Sequence, residues 1–226
     1  MRVLALDTAL SACSVCLFDA AADEIRAVQS LPMHRGHAEA LIPLVERVMW
    51  VAGLGFDDID RIVTTVGPGS FTGLRVGIAA ARGFALALGR PAVGVTTLAA
   101  LSAPVMAEDD RVPVVAAIDA KHGNVYMQIA GPGGRAMISP RVSSLRDAVR
   151  VAAIGKVRLV GSGAPLLAAA WPAVERPPLL VDPRGAPDIA WVARLGAATS
   201  PDALPRPVYL RPPDARPQDA ARIARC

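Results

Sequence analysis

VLALDTALSACSVCL (residues 3–17) and VVAAIDAKHGNVYMQ (residues 114–128) share one pattern. In each, a run of apolar residues ends on an aspartate, Asp7 or Asp119. A polar turn of small residues follows, and then a segment of alternating character. Such alternation on both sides of a tight turn is the mark of an antiparallel hairpin. The pattern returns after about 110 residues, a weak internal repeat.

Each copy extends into further elements. After the first hairpin, residues 24–30 read as a third strand, 37–52 as a helix and 61–66 as an apolar strand. A Gly-rich loop at 67–73 precedes a long helix at 74–88, a short strand at 92–95 and a helix at 98–106. The order is βββαβα. After the second hairpin, the sequence predicts a helix at 144–151, a strand at 157–160 and helices at 166–171 and 189–197. The fold class expected is α/β: duplicated βββαβα halves with mixed sheets flanked by helices, as in actin, Hsp70 and the sugar kinases. The N-terminal half is assigned residues 1–106 and the smaller C-terminal half 107–200. The Pro/Arg-rich tail, 201–226, has too little apolar surface to order itself alone, with Tyr209 and Leu210 as its anchors to the body.

Composition narrows the class. Of 226 residues 53% are hydrophobic, enough for a sizeable core. Asp7 interrupts the first apolar run, so the start does not read as a signal peptide. No stretch of about 18 apolar residues lacks charge, so no membrane span and a cytoplasmic location are expected. The net charge of +4 comes almost entirely from Arg, with Lys121 and Lys156 the two lysines. It fits either a compositional bias or affinity for an acidic partner such as RNA. Cys13 and Cys16 form a C-x-x-C, but side chains three apart on a strand point to opposite faces. They are expected to pack in the core rather than share a disulfide or a metal ion.

Asp7 and Asp119 end equivalent strands. In the superfold such carboxylates hold magnesium while the hairpin backbones touch phosphate. Gly161 and Gly163 fall where its adenosine loop lies, since glycine lets backbone approach a nucleotide. Two readings stand: a cofactor site for ATP, or ancestral scaffold in which Asp and Gly are ordinary turn residues. The second hairpin turn carries Lys121 and His122 where a phosphate would want glycine. The segment GPGSFTGLRVG (67–77) is similarly open. It is either an anion site at a helix start or a tight turn, with Ser70 or Thr72 capping the helix; no lysine follows its last Gly as in a Walker loop.

Two helices carry more apolar surface than one small sheet needs. In residues 38–52, Leu41, Leu44, Val45 and Val48 form one stripe, widened by Ile42 and Met49, with Pro43 inside. In residues 74–88, Gly77, Ala80, Ala81 and Phe84 give a small-residue surface with Ile78 alongside, and Arg75 and Arg82 share one edge. These residues are assigned to partner binding; the other reading is that the helices pack only on each other and the sheet. His34, His37 and Glu39 lack a convincing third partner for a metal, so no metal or other cofactor is expected.

VLALDTALSACSVCLF, HAEALIPLVERV, VGPGSFTGLRVGIAAARGFALAL and VVAAIDAKHGNVYMQ, with the later PVYLR, resemble the TsaB (YeaZ) family over nearly the whole chain. The resemblance implies a non-catalytic subunit that pairs through its N-terminal helices with TsaD, its catalytic paralogue. TsaE, a small ATPase, joins the pair. The complex transfers a threonylcarbamoyl group to the adenosine 3′ of the anticodon in tRNAs reading codons that start with A. TsaD carries an H-x-x-x-H metal motif; His34 and His37 are one residue closer. The surplus of apolar surface on the two helices predicts a homodimer when the chain is alone; contact with tRNA within the complex stays open. The alternative is an ATP-binding small-molecule kinase of the same superfold. A metallopeptidase is disfavoured by the missing ligand set.

Overall fold

Nearly continuous burial marks the central strands of the first sheet, which is covered on both faces. In the computed structural model, which describes residues 1–211, β1 (Arg2–Asp7) pairs antiparallel with β2 (Ala12–Asp19), and β2 with β3 (Glu24–Pro32). β4 (Arg61–Gly67) joins β1 in parallel, and β5 (Ala92–Thr96) joins β4. The order is β3-β2-β1-β4-β5.

The second sheet repeats this plan. β6 (Val114–Asp119), β7 (Asn124–Ala130) and β8 (Ala136–Ser144) are antiparallel neighbours. β9 (Arg158–Val160) and β10 (Leu180–Asp182) extend it in parallel, giving β10-β9-β6-β7-β8. Two mixed sheets of equivalent topology, flanked by helices, are the duplicated α/β architecture expected from the sequence. β8 and β10 were not foreseen. β8 is a largely exposed edge strand containing Pro140, and β10 has three residues, so neither carries a strong apolar rhythm.

The helices are α1 (His37–Ala52), α2 (Phe71–Leu88), α3 (Thr97–Glu108), α4 (Leu145–Ala152), α5 (Ala164–Ala169) and α6 (Ile189–Ala198). α2 begins three residues earlier than its apolar run suggests, because the Ser70 hydroxyl accepts from the Gly73 N–H at 3.3 Å and caps it there. Leu41, Leu44, Val45 and Val48 of α1 and Ala81 of α2 join Leu4, Leu6, Cys13 and Leu17 in one core. Burying each of the larger side chains stabilises the fold by about 1.5–3 kcal/mol.

The opposite face of the first sheet is covered by α6. Its Ile189, Val192 and Ala193 pack with Val3, Ala5, Cys16 and Val63. Sequence order places α6 in the C-terminal half; in space it closes the N-terminal one. A side chain at Gly196 would meet the Val63 methyls at 2.3 Å, so the helix rests directly on β4. Arg61 Nη1 donates to the carbonyls of Gly196, Ala197 and Thr199 at 2.9, 2.9 and 2.7 Å, satisfying the end of α6.

α3 joins the halves. Leu98, Leu101 and Val105 pack on Val114, Ala116 and Ile118 of the second sheet, while Ala100 belongs to the core of the first. The buried Arg158 donates to the carbonyls of Val105 (2.7 Å), Val112 (2.8 Å) and Asp109, fastening the end of α3 and the connection that follows it. Cys13 and Cys16 lie in different cores, and burial pushes their thiols up to about 11 and about 12.

Only the first part of the tail lies among the described residues. Val208 donates its N–H to the Val66 carbonyl at 2.7 Å, and the Tyr209 ring sits 5.6 Å from that of Phe71. The expectation for the tail beyond residue 211 lies outside the described residues.

Candidate functional site

The two hairpin turns face one another across a cleft of about 420 Å³, lined by Ser11, His37, Gly69 and Ser70 on one side and Asp119, Lys121, Tyr126 and Ser162 on the other. Asp7 is not on its wall. The loop between β4 and α2 lies over the β1–β2 turn, backbone against backbone. Ser70 donates its N–H to the Ala9 carbonyl at 2.8 Å, and the Thr8 hydroxyl donates to the Gly73 carbonyl at 2.7 Å.

A Cβ at Gly69 would meet the Ala9 oxygen at 2.5 Å, and one at Gly73 the Thr8 oxygen at 2.0 Å. Three glycines fall in this loop, Gly67, Gly69 and Gly73. Gly67 alone of them has a positive φ, +112°; Gly69 and Gly73 are required by close approach. The loop is thus a strand-to-helix turn pressed onto the hairpin, with the Ser70 and Gly73 amides engaged inside the protein.

Asp7 is fully buried beneath this seal. Its Oδ1 accepts from the Thr65 hydroxyl at 2.5 Å and the Ala9 N–H at 3.1 Å, and its Oδ2 has no partner among the described residues. Burial raises its carboxyl above the ordinary range, against the opposing pull of those hydrogen bonds and of His37. Such burial penalises the charged form, which a cation ligand must adopt.

Asp119 does border the cleft, but Lys121 Nζ donates to it at 2.8 Å and, with the Lys121 N–H, holds its carboxyl below the ordinary range. Gly161 and Gly163 serve the sheet. Gly161 has φ +104°, a Cβ there would meet the Ala117 oxygen at 2.3 Å, and one at Gly163 would meet Ala117 at 3.1 Å. Ser162 between them accepts from the Asp119 N–H at 3.1 Å. The four residues expected to form a cofactor site are therefore split: Asp7 is sealed, Asp119 is paired, and both glycines are needed by β6.

His37 is buried and donates from Nε2 to the Leu10 carbonyl at 3.1 Å, whereas His34 is exposed. Among the described residues no three His, Cys, Asp or Glu side chains converge as metal ligands.

The helix surfaces need a correction. Leu41, Leu44, Val45, Val48, Gly77, Ile78 and Ala81 are all buried in the chain's own core, because each stripe turns toward the sheet. Gly77 abuts Thr8 and Thr64, where a Cβ would stand 2.6 Å from the Thr8 hydroxyl. Arg75 and Arg82, assigned to the same surface, do point outward.

The same two helices carry further exposed apolar side chains. Trp50 is 81% exposed and Leu86 87%, with Val51 and Phe71 also open. At 100° per residue Trp50 and Leu86 fall off the buried stripes, whereas Val51 and Phe71 sit at their edges. Arg75 stacks 3.7 Å from the centroid of Phe71, and its Nε donates to the Tyr209 hydroxyl at 3.3 Å. α2 is long and apolar enough by composition to cross a membrane, but its Leu74, Ile78, Ala81 and Ala85 are buried against the protein.

The chain matches the family model described as TsaD, tRNA N6-adenosine threonylcarbamoyltransferase, over residues 31–158. It is 39% identical over 126 residues to the tRNA threonylcarbamoyladenosine biosynthesis protein TsaB of Escherichia coli, covering 56% of this chain and 53% of that protein. The chain thus spans about half the length of the first curated relatives it matches. YeaZ from Pseudomonas aeruginosa superposes with a TM-score of 0.77 at 30% identity, over 92% of this chain and 99% of that one. Another structure from the same organism, described as having similarity to peptidase YeaZ, superposes at 0.79 with 31% identity, over 93% and 99%.

Proposed function

The chain belongs to the TsaB (YeaZ) family, and from that premise we propose that it is an accessory subunit in the biosynthesis of threonylcarbamoyladenosine in tRNA. It supplies no chemistry of its own and docks on a catalytic TsaD subunit through the outward sides of α1 and α2, with TsaE joining the pair. The observation that supports this reading best is the seal over Asp7: the superfold's strand-end carboxylate lies fully buried under Ser70 and Ala9, off the wall of the cleft. Exposed apolar side chains on both helices, Trp50 and Val51 on α1 and Leu86 near Arg82 on α2, support the docking surface. In isolation the same surface pairs with a second copy of the chain. tRNA is met within the complex.

Reconstitution tests this. Purified chain, TsaD and TsaE from one organism are combined with tRNA, ATP and threonylcarbamoyl-adenylate, and modified adenosine is measured by mass spectrometry. The proposal expects product only when the chain is present, and undiminished product with Asp7→Asn. Product formed equally well without the chain contradicts it, as does loss of product with a folded Asp7→Asn protein.

A further inference from the structure

Two outward ridges, one on α1 and one on α2, carry opposite charge at the same spacing. On α1 the ridge runs through Glu39, Pro43, Glu46 and Trp50; on α2 it runs through Arg75, Ala79, Arg82 and Leu86. All of these side chains are exposed. The steps are four, three and four residues in both, which keeps each set on one face of its helix. The charges stand first and third, about 10 Å apart along the axis, and the large apolar group stands fourth.

Within one chain the ridges do not meet. Glu39, Glu46 and Arg82 have no hydrogen-bond or ion-pair partner among the described residues. Arg75 stacks on Phe71 and donates from Nε to Tyr209, which leaves its two terminal nitrogens without a described partner. No acidic residue occurs in α2. None lines the groove beside it either, whose two parts, of about 560 and 450 Å³, meet at Arg82 and are bordered by Tyr209 and Leu204. Unanswered positive charge along an apolar groove fits an acidic helix with an apolar end, and α1 of another copy is such a helix.

We propose that a second copy of this chain lays its α1 ridge on the α2 ridge of the first, side by side and in the same direction. Glu39 then meets Arg75, Glu46 meets Arg82 and Trp50 packs against Leu86. Such pairing rests on the docking surface proposed above and adds its register. Two-fold symmetry makes the contact twice, because each copy offers both ridges. Charge pairs between helices act chiefly on register and on the choice of partner.

Sedimentation of the full chain tests the pairing. Glu39→Arg with Glu46→Arg sets like charges against each other in both contacts, and Arg75→Glu with Arg82→Glu does so with the opposite sign. Each protein alone is expected to self-associate at least about tenfold more weakly than the parent. An equal mixture of the two is expected to recover the parent's association. Single changes read the register: Glu46→Arg should recover with Arg82→Glu and not with Arg75→Glu. They also stand in for the double variants if Glu39→Arg, in the first turn of α1, disturbs the circular dichroism. Folded charge variants that associate like the parent overturn the proposal. So does a mixture that fails to recover, which leaves the arginines to a different acidic partner, and so does recovery with Arg75→Glu instead of Arg82→Glu. Trp50→Glu separates the pairing from the docking surface. If it dissociates the chain while the charge variants do not, the surface stands and the pairing falls. A monomeric parent, or a Trp50→Glu protein that associates like the parent, overturns both.

Discussion

The Thr65 hydroxyl donates to Asp7 Oδ1 at 2.5 Å, across neighbouring strands and out of reach of solvent. Burial raises the Asp7 carboxyl despite this bond. A group whose pKa is raised in the folded state contributes stability that is complete below its unfolded value and is lost as pH rises through the folded one. Asp7→Asn keeps the shape and removes the titration. We expect the parent to lose stability relative to the Asp7→Asn protein as pH rises from about 4, the unfolded carboxylate value. Denaturant unfolding of both proteins between acid and neutral pH reads this directly. A gap that runs the other way, or does not change, shows that Asp7 is ionised in the fold.

Gly73 and Gly83 lie in one helix and should respond in opposite directions. A Cβ at Gly73 meets the Thr8 oxygen at 2.0 Å, whereas one at Gly83 meets nothing within 4 Å. Gly73→Ala should therefore destabilise by about 1–3 kcal/mol, an overpacking cost. Gly83→Ala should stabilise by up to about 1 kcal/mol through helix propensity. Thermal unfolding of the two variants compares them; equal tolerance at Gly73 contradicts the seal between the loop and the hairpin.

Arg158 holds three carbonyls at the joint between the halves. Arg158→Met removes a charged donor whose bonds are worth about 1.5–3 kcal/mol each, so a net loss of about 2–4 kcal/mol is expected. Hydrogen exchange should rise first at the end of α3. Unchanged exchange there shows that the joint is held by packing alone.

Nucleotide should bind weakly. With Asp7 sealed and Asp119 paired to Lys121, the cleft lacks a free carboxylate pair for a metal-bound phosphate. Calorimetry with ATP and magnesium should give no dissociation constant in the low micromolar range, about −8 kcal/mol. Binding that tight favours the kinase reading.

The repeated hairpins were legible because alternation and a strand-end aspartate are local signals, and the sheets they nucleate have equivalent topologies. β8 and β10 were not legible: an exposed edge strand and a three-residue strand owe their form to pairing with β7 and β9 rather than to their own pattern. The docking of α6 on the first sheet is tertiary; its signals, Gly196 against Val63 and Arg61 at the helix end, appear only once the strands are placed. The helix stripes were found correctly and aimed wrongly. Periodicity identifies Leu41, Leu44, Val45 and Val48 as one face, but not whether sheet or partner covers it. Trp50 and Leu86, off those stripes, were the better pointers to the outer surface.

That outer surface carries the account's central claim, and replacing its exposed side chains leaves the core intact. Trp50→Glu and Leu86→Glu are each made, circular dichroism confirms the fold, and sedimentation is run on every protein alone and mixed with TsaD. Each variant is expected to lose self-association and to bind TsaD at least about tenfold more weakly, about 1.4 kcal/mol. Folded variants that associate as tightly as the parent in both settings would contradict it.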